Sequence, residues 1–400
     1  MDEKQYLRDL AQRQAELAAH PDNAALAQAW YDHNSLRGQR PMVVFEEETC
    51  KQEFFQLQCE DPLARYVEGQ LLQTIRAKEL IGDDKVVPDF LRVPVQIESQ
   101  FFGVERHRTV AAEGLGYHDE PVLVNLEEDL SKLRPSEFHY NKAATERLEN
   151  FAGDILGDVL PLRRVNELNQ WHFAPTQHVV NLMGMENLFL AMFDAPEALH
   201  RLMAFLVEDM KRLLRWEEQE GLLFANAGND YMGSGSYCFN RELPASGPVV
   251  STQTWGHSNS QESVGISPEQ YAEFVFPYIQ EIAREFGLFY YGCCEPVDPI
   301  WDDCLSKLPN LRKVSISAWC DEEKMAERLS KAPVIYSRKP SPNFLGVDHV
   351  LDEEAFRAYI KRTIDLTRGC HVEIIFRDIY TLHGNPDKAR RAVEIVRSLL

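Results

Sequence analysis

From about Asp158 onward, short apolar runs alternate with capped amphipathic helices, and this rhythm constrains the fold more than any other feature of the chain. The runs are Val159 to Leu162, Leu222 to Ala225, Val249 to Trp255, Leu288 to Tyr291, Lys313 to Ile316, Val334 to Tyr336 and Val372 to Phe376, with earlier candidates at Met42 to Phe45 and Leu91 to Ile97. Each is about strand length, and several are rich in Val, Ile, Phe and Tyr. Between them, Asp194-Ala195-Pro196-Glu197 opens a helix in which Leu199, Leu202, Met203, Leu206, Met210, Leu213 and Leu214 recur at helical spacing. Ser267-Pro268-Glu269-Gln270 opens another, carrying Tyr271, Phe274, Val275, Tyr278, Ile279 and Ile282 on one face; Asp352 caps a third, and Asn385-Pro386 starts the last.

Strands joined by crossover helices must run parallel, and about eight such units close a (β/α)8 barrel. The alternative is a doubly wound open sheet. No G-x-G-x-x-G or G-x-x-x-x-G-K-[ST] turn follows any of these strands, so that alternative lacks its usual nucleotide site. Helical composition over Glu3 to Ala19 and Ala24 to His33, split by Pro21-Asp22-Asn23, marks an N-terminal segment. The expected architecture is therefore α/β, a (β/α)8 TIM barrel over residues 90–400 preceded by a helical extension and lead-in over residues 1–89.

Charge narrows the partners. Lys and Arg number 42 against 63 Asp and Glu, a net charge of −21, so phosphate backbones and anionic lipid would repel the surface. No apolar stretch approaches the roughly 18 residues that span a bilayer, and the N-terminus is charged from Asp2. A cytoplasmic protein without nucleic-acid or membrane partners is expected. The eight cysteines (Cys50, Cys59, Cys238, Cys293, Cys294, Cys304, Cys320, Cys370) are too sparse in 400 residues for a disulfide framework and read as thiols.

In a barrel the chemistry gathers where strands end. Those tips hold Arg163-Arg164, Asn226 to Asp230, Trp255-Gly256-His257 with Gln261-Glu262, Gly292 to Glu295, Ser317-Ala318-Trp319, Ser337-Arg338-Lys339, and Arg377-Asp378 with His383. Cys293 and Cys294 could ligate a soft metal or supply a nucleophile, or be small buried hydrophobes. Glu262 could be a ligand or a general acid/base, and Asp378 and His383 could complete a ligand set or carry a proton; all three also suit helix-entry and turn positions. Arg338 and Lys339 offer fixed cations for a carboxylate or phosphate, or form a surface ion pair. Gly233-Ser234-Gly235-Ser236 reads as a mobile substrate loop or a plain linker.

From about Leu91 to Leu400 the chain resembles the uroporphyrinogen decarboxylase superfamily, in the branch of anaerobe proteins linked to corrinoid-dependent methyl transfer. The resemblance rests on Gly157 to Pro161, Glu242-Leu243-Pro244, Trp255-Gly256 with Ser260-Gln261-Glu262, Ser267-Pro268-Glu269, Gly292-Cys293-Cys294-Glu295-Pro296, Pro309 to Ser315 and Ser337-Arg338-Lys339-Pro340. It implies a (β/α)8 barrel, often dimeric. The decarboxylases of the type family carry an Arg-Gln-Ala-Gly-Arg stretch that has no counterpart here. The methyltransferases hold zinc through a His-x-Cys strand end and a later cysteine; the corresponding string is Tyr291-Gly292-Cys293, with Cys294 where the related enzymes have glycine. Cys370 precedes its strand and belongs to the opposite mouth, about 16 Å away over five residues. The ligand set implied is drawn from Cys293, Cys294, His257, Glu262 and His383.

The resemblance thus implies a zinc-dependent methyltransferase moving a methyl group between a small methoxy, methylthio or thiol substrate and a corrinoid protein, and a possible homodimer. Glu262, Asp378 and His383 are the expected acid/base residues; Trp255, Tyr291, Glu295, Arg338 and Lys339 are expected to bind substrate. Two alternatives stand beside it: a decarboxylase or lyase acting on a carboxylated substrate, and a non-catalytic tetrapyrrole- or corrinoid-binding protein.

Overall fold

The computed structural model describes residues 2–110 and 116–400. Eight strands, parallel within each of two sheets, organise it: β1 (Met42–Phe45), β2 (Leu91–Pro94), β3 (Leu162–Val165), β4 (Trp255–Ser258), β5 (Leu288–Tyr291), β6 (Leu311–Ile316), β7 (Ile335–Arg338) and β8 (Val372–Phe376). Six form one sheet in the order β1-β8-β7-β6-β5-β4, and β2 pairs with β3. Met42 to Phe45 lie in register with Glu373 to Phe376, so the N-terminal segment expected as an extension contributes a strand to the main sheet. The run Leu222 to Ala225 is not a strand and makes only a single bridge, Phe224 to Pro248. Among the described residues, no helix is long and apolar enough to cross a membrane.

Side chains alternate across the sheet as the pleat requires. Phe45, Tyr291, Val314, Ile316, Tyr336, Ile374 and Phe376 face the helices in the largest apolar cluster, while Met42, Val44 and Ile375 face the other way. The expected stripe of the helix Pro196–Glu220, from Leu199 to Leu214, is buried in that large cluster. Its N-cap, however, is Ala195 without a side-chain bond, because Asp194 closes the preceding helix. The helix expected from Ser267 opens there, with Ser267 and Gln270 forming a capping box, but it breaks at Val275 and restarts as Phe276–Arg284. Pro277 has no N–H to continue the first helix and suits the first turn of the second.

The inner face is unusually polar. Glu373 on β8 is fully buried; Lys313 of β6 donates to it at 3.0 Å, Ser236 at 3.0 Å and Ser337 of β7 at 2.6 Å, and the His33 ring lies 3.2 Å away. Burial opposes the charge on Glu373, yet Lys313 and His33 hold its carboxyl well below the usual carboxylate range.

Ser236 reaches this site because Tyr231–Gly233 and Ser236–Tyr237 form a buried antiparallel hairpin against the sheet. The Gly-Ser-Gly-Ser stretch expected as a mobile loop is therefore core. Its glycines are required: Gly233 (φ 110°) would place a Cβ 2.8 Å from His257 Nδ1, and one on Gly235 (φ 77°) would collide with Ile375.

Removing one partner from a buried ion pair strands the other charge. Lys313→Met is expected to lower unfolding free energy by about 3 kcal/mol, and adding Glu373→Leu to recover about half of that or more. Urea titration of the two variants checks this.

Candidate active site

The C-terminal ends of β5 to β8 converge on a cavity of about 400 Å³, lined among others by Cys293, Cys294, Ser317, Lys339, Arg377 and Asp378, with Trp171, Trp319 and Tyr380 around it. Gly292 (φ 101°) turns the chain out of β5 and sets the two thiols beside each other, Sγ to Sγ 3.5 Å. Asp378 follows β8 with a left-handed backbone (φ 58°), a conformation aspartate tolerates, and its carboxylate accepts from the Cys294 thiol at 3.3 Å.

These contacts split the two thiols. The neighbouring Cys294 thiol, helped by the Arg377 cation, lowers the Cys293 pKa against the opposing effect of burial. Cys294 is pushed up by Cys293, by burial and by Asp378. Cys293 is thus the sulfur prepared to lose its proton.

Two cations flank it. Arg377 is 9% exposed and makes no side-chain hydrogen bond among the described residues: its Nε lies 3.3 Å from carboxylate oxygens of Glu46 and Asp378, its Nε and Nη1 are unpartnered, and its guanidinium sits 5.6 Å from the Trp171 ring. Lys339 donates to Tyr290 Oη at 2.7 Å and Ser337 Oγ at 2.6 Å. Burial pulls its ammonium down to about 7 despite the attraction of Glu373. Near neutral pH this amine divides between its charged and neutral forms, as a proton carrier requires.

Several expected site residues have other partners. Arg338 points outward from β7, where Glu322 accepts from it at 2.7 Å and the Ser317 carbonyl at 2.5 Å; it braces helices and presents no cation at the mouth. Its neighbour Lys339 fills that place, because side chains one residue apart take opposite faces. Tyr291 also faces outward, bonded to Ser260 and Tyr271. Glu295 is buried and accepts from the backbone N–H groups of Ser260 and Cys293, so it fixes the thiol loop and is not among the residues lining the cavity. Trp255 faces inward on β4 and lines a second cavity.

The expected metal ligands are only partly brought together. His257 lies between the carbonyls of Gly292 (3.2 Å) and Gln170 (3.3 Å), and burial lowers its pKa to about 4. Glu262 accepts from Thr176 at 2.8 Å, and His383 faces the Gly346 carbonyl at 3.1 Å beside the His349 ring. Two thiolates on one tetrahedral zinc stand about 3.8 Å apart. The Cys293–Cys294 separation fits two corners of such a site. Among the described residues, no three His, Cys, Asp or Glu side chains form a metal-sized group. The remaining corners are not preformed.

Trp171, Tyr380 and Glu46 are absent from the sequence-derived site, and Arg377 stands there among the strand-tip residues without a role of its own. Arg377 alone left a signal, as a cation directly after an apolar strand. Compared with known proteins, the chain matches no family model and no curated protein.

Alkylation tests the thiol assignment. Cys293 is expected to react with iodoacetamide before Cys294, with a pH midpoint below the ordinary thiol value. Arg377→Gln should move that midpoint upward, as peptide mapping by mass spectrometry across pH would show.

Proposed function

We propose that the chain is an enzyme that transfers a methyl group between a small anionic substrate and a corrinoid protein, at the mouth built by Cys293, Cys294, Lys339, Arg377 and Asp378. The observation that carries this reading is the pair of adjacent thiols, 3.5 Å apart at a strand end and facing a cavity. We also propose that the two parallel sheets are arcs of one (β/α)8 barrel. Taken in chain order, β1 to β8 place β1 back against β8, which is the pairing observed, and leave only the β1/β2 and β3/β4 seams without ladder bonds.

In this reading Cys293 and Cys294 would hold the zinc. Bound there, zinc would supply a Lewis acid to a methoxy, methylthio or thiol group. The chain's own residues do the rest. Asp378 accepts the Cys294 proton when that thiol ionises, and Arg377 keeps negative charge at Cys293 favourable. Lys339 gives or takes the proton that accompanies loss or gain of the methyl group. Arg377, with donors unspent, orients an anionic part of the substrate. Trp171 and Trp319 narrow the approach of water. The corrinoid arrives on a partner, which an acidic surface would steer through a basic face.

A second reading is favoured by Arg377 and Lys339 themselves. A guanidinium with unspent donors beside an amine near neutrality would hold and polarise a substrate carboxylate, as a decarboxylase or lyase needs.

Elemental analysis separates the two. Anaerobically loaded wild type is expected to hold about one zinc per chain, and Cys293→Ser/Cys294→Ser to hold none while keeping its circular dichroism. Methylation of cob(I)alamin by methoxylated or methylthio compounds should be lost with the metal. A folded wild type that takes up no zinc rejects methyl transfer by this site, and zinc-independent release of carbon dioxide would establish the second reading.

A further inference from the structure

The larger cavity, about 950 Å³, follows the seams of the sheet, between Val44 of β1 and Arg92 of β2, and between Arg163 of β3 and Trp255 of β4. No cysteine lines it, so its chemistry is separate from that of the thiols. Its lining side chains carry seven Lys and Arg against five Asp and Glu, a local positive excess in a protein of net charge −21.

The excess has a focus. The guanidiniums of Arg92 and Arg163 both lie over the Phe90 ring, 5.2 and 4.0 Å from its centre. Two like charges are held together here, with Asp230 bonded to Arg163 and Glu167 close enough to attract Arg92 without a hydrogen bond to it. Two guanidiniums offer ten N–H groups, but Arg92 spends one on the Asn229 carbonyl and Arg163 one on Asp230. Arg163 Nε is buried without a partner.

Two acceptors lining the same cavity are also left over. Asp230 Oδ2 and Asn169 Oδ1 are buried and unpartnered, as is the donor Trp255 Nε1. Buried polar atoms are normally satisfied, and a cluster of orphans along one cavity marks where a ligand's polar groups belong. A bare anion would satisfy the arginines and leave the acceptors unpaired. A ligand carrying an oxyanion and hydroxyl groups satisfies both.

We propose that Arg92 and Arg163 form a binding site for a hydroxylated small anion, whose carboxylate or phosphate pairs with the guanidiniums and whose hydroxyls donate to Asp230 and Asn169. The shared chemistry is an oxyanion on a polyhydroxy chain. A sugar acid and a sugar phosphate both supply it.

Isothermal titration of the full chain with D-gluconate and with D-glucose 6-phosphate tests the site and tells the two anions apart, with hexanoate as the anion lacking hydroxyls. At least one hydroxylated probe is expected to bind saturably and about tenfold or more tighter than hexanoate. Arg92→Gln should weaken it about tenfold or more, and Arg92→Lys, which keeps the charge and loses the fork, should fall between. Arg163→Gln combined with Asp230→Asn removes a buried pair together and should abolish binding without stranding a charge. Cys293→Ser/Cys294→Ser should bind like wild type, so loss of the thiol chemistry leaves this result standing. No saturable binding of either hydroxylated probe up to millimolar concentration overturns the site, as does undiminished binding by folded Arg92→Gln.

Discussion

One buried carboxylate ties this structure together. Glu373 faces inward from β8 and is met by Lys313 from β6, Ser337 from β7, Ser236 from the buried hairpin and His33 from the N-terminal helices. A charge at zero exposure is tolerable only when its partners are fixed, and each partner comes from a different part of the chain. The network therefore does what an apolar contact cannot: it specifies which elements meet and at what register. The helix Pro21–Asn34 is anchored by it, since His33 reaches Glu373 while Asn34 donates to the Tyr237 and Phe239 carbonyls.

The same network sets the electrostatics of the mouth. Ser337 bonds Glu373 on one side and receives Lys339 on the other, so the amine at the cavity hangs from the buried carboxylate by a single hydroxyl. That distance explains its intermediate state. Burial and the Arg377 cation lower the amine, while Glu373 beyond the hydroxyl, with Cys293 and Glu46, draws it back up. Arg377, the first residue beyond β8, carries the permanent charge instead. The mouth thus combines one fixed cation, one titratable amine and two thiols of unlike acidity.

Much of the fold was legible because its signal is periodic. All of β5 and β8, and most of β6, stand in the apolar runs, and the helix stripe from Leu199 to Leu214 is buried as its spacing requires. What failed were features whose meaning depends on what lies opposite. Gly-Ser-Gly-Ser has the composition of a linker, and only His257 and Ile375 against its glycines make it core. Leu222 to Ala225 has the composition of a strand but finds no ladder partner. In the site, adjacent cysteines were visible from type alone. That Lys339 alone of the expected Arg338–Lys339 pair lines the cavity was not, because pleat parity turns on where β7 ends. Nor was the engagement of His257, Glu262 and His383, whose partners are distant carbonyls and a hydroxyl.

A strongly acidic protein that concentrates unspent guanidinium donors at two places is not explained by stability. Leaving Arg377 and Arg163 with buried unpartnered nitrogens sacrifices hydrogen bonds that a neighbouring carboxylate or carbonyl could complete. The carboxylates are at hand, since Glu46 and Asp378 stand 3.3 Å from Arg377 Nε without the alignment of a hydrogen bond. Trp171 lines both cavities, with the Arg377 guanidinium 5.6 Å from its ring centre, so one aromatic side chain borders both cavities that hold free donors. Its placement follows from the short turn after β3, which sets Gln170 and Trp171 against His257. The orientation of His257 between two carbonyls, costly for a neutral ring with one N–H, is thereby accounted for: the ring stands edge-on to Trp171, 5.1 Å between centres, and braces the indole that borders both cavities.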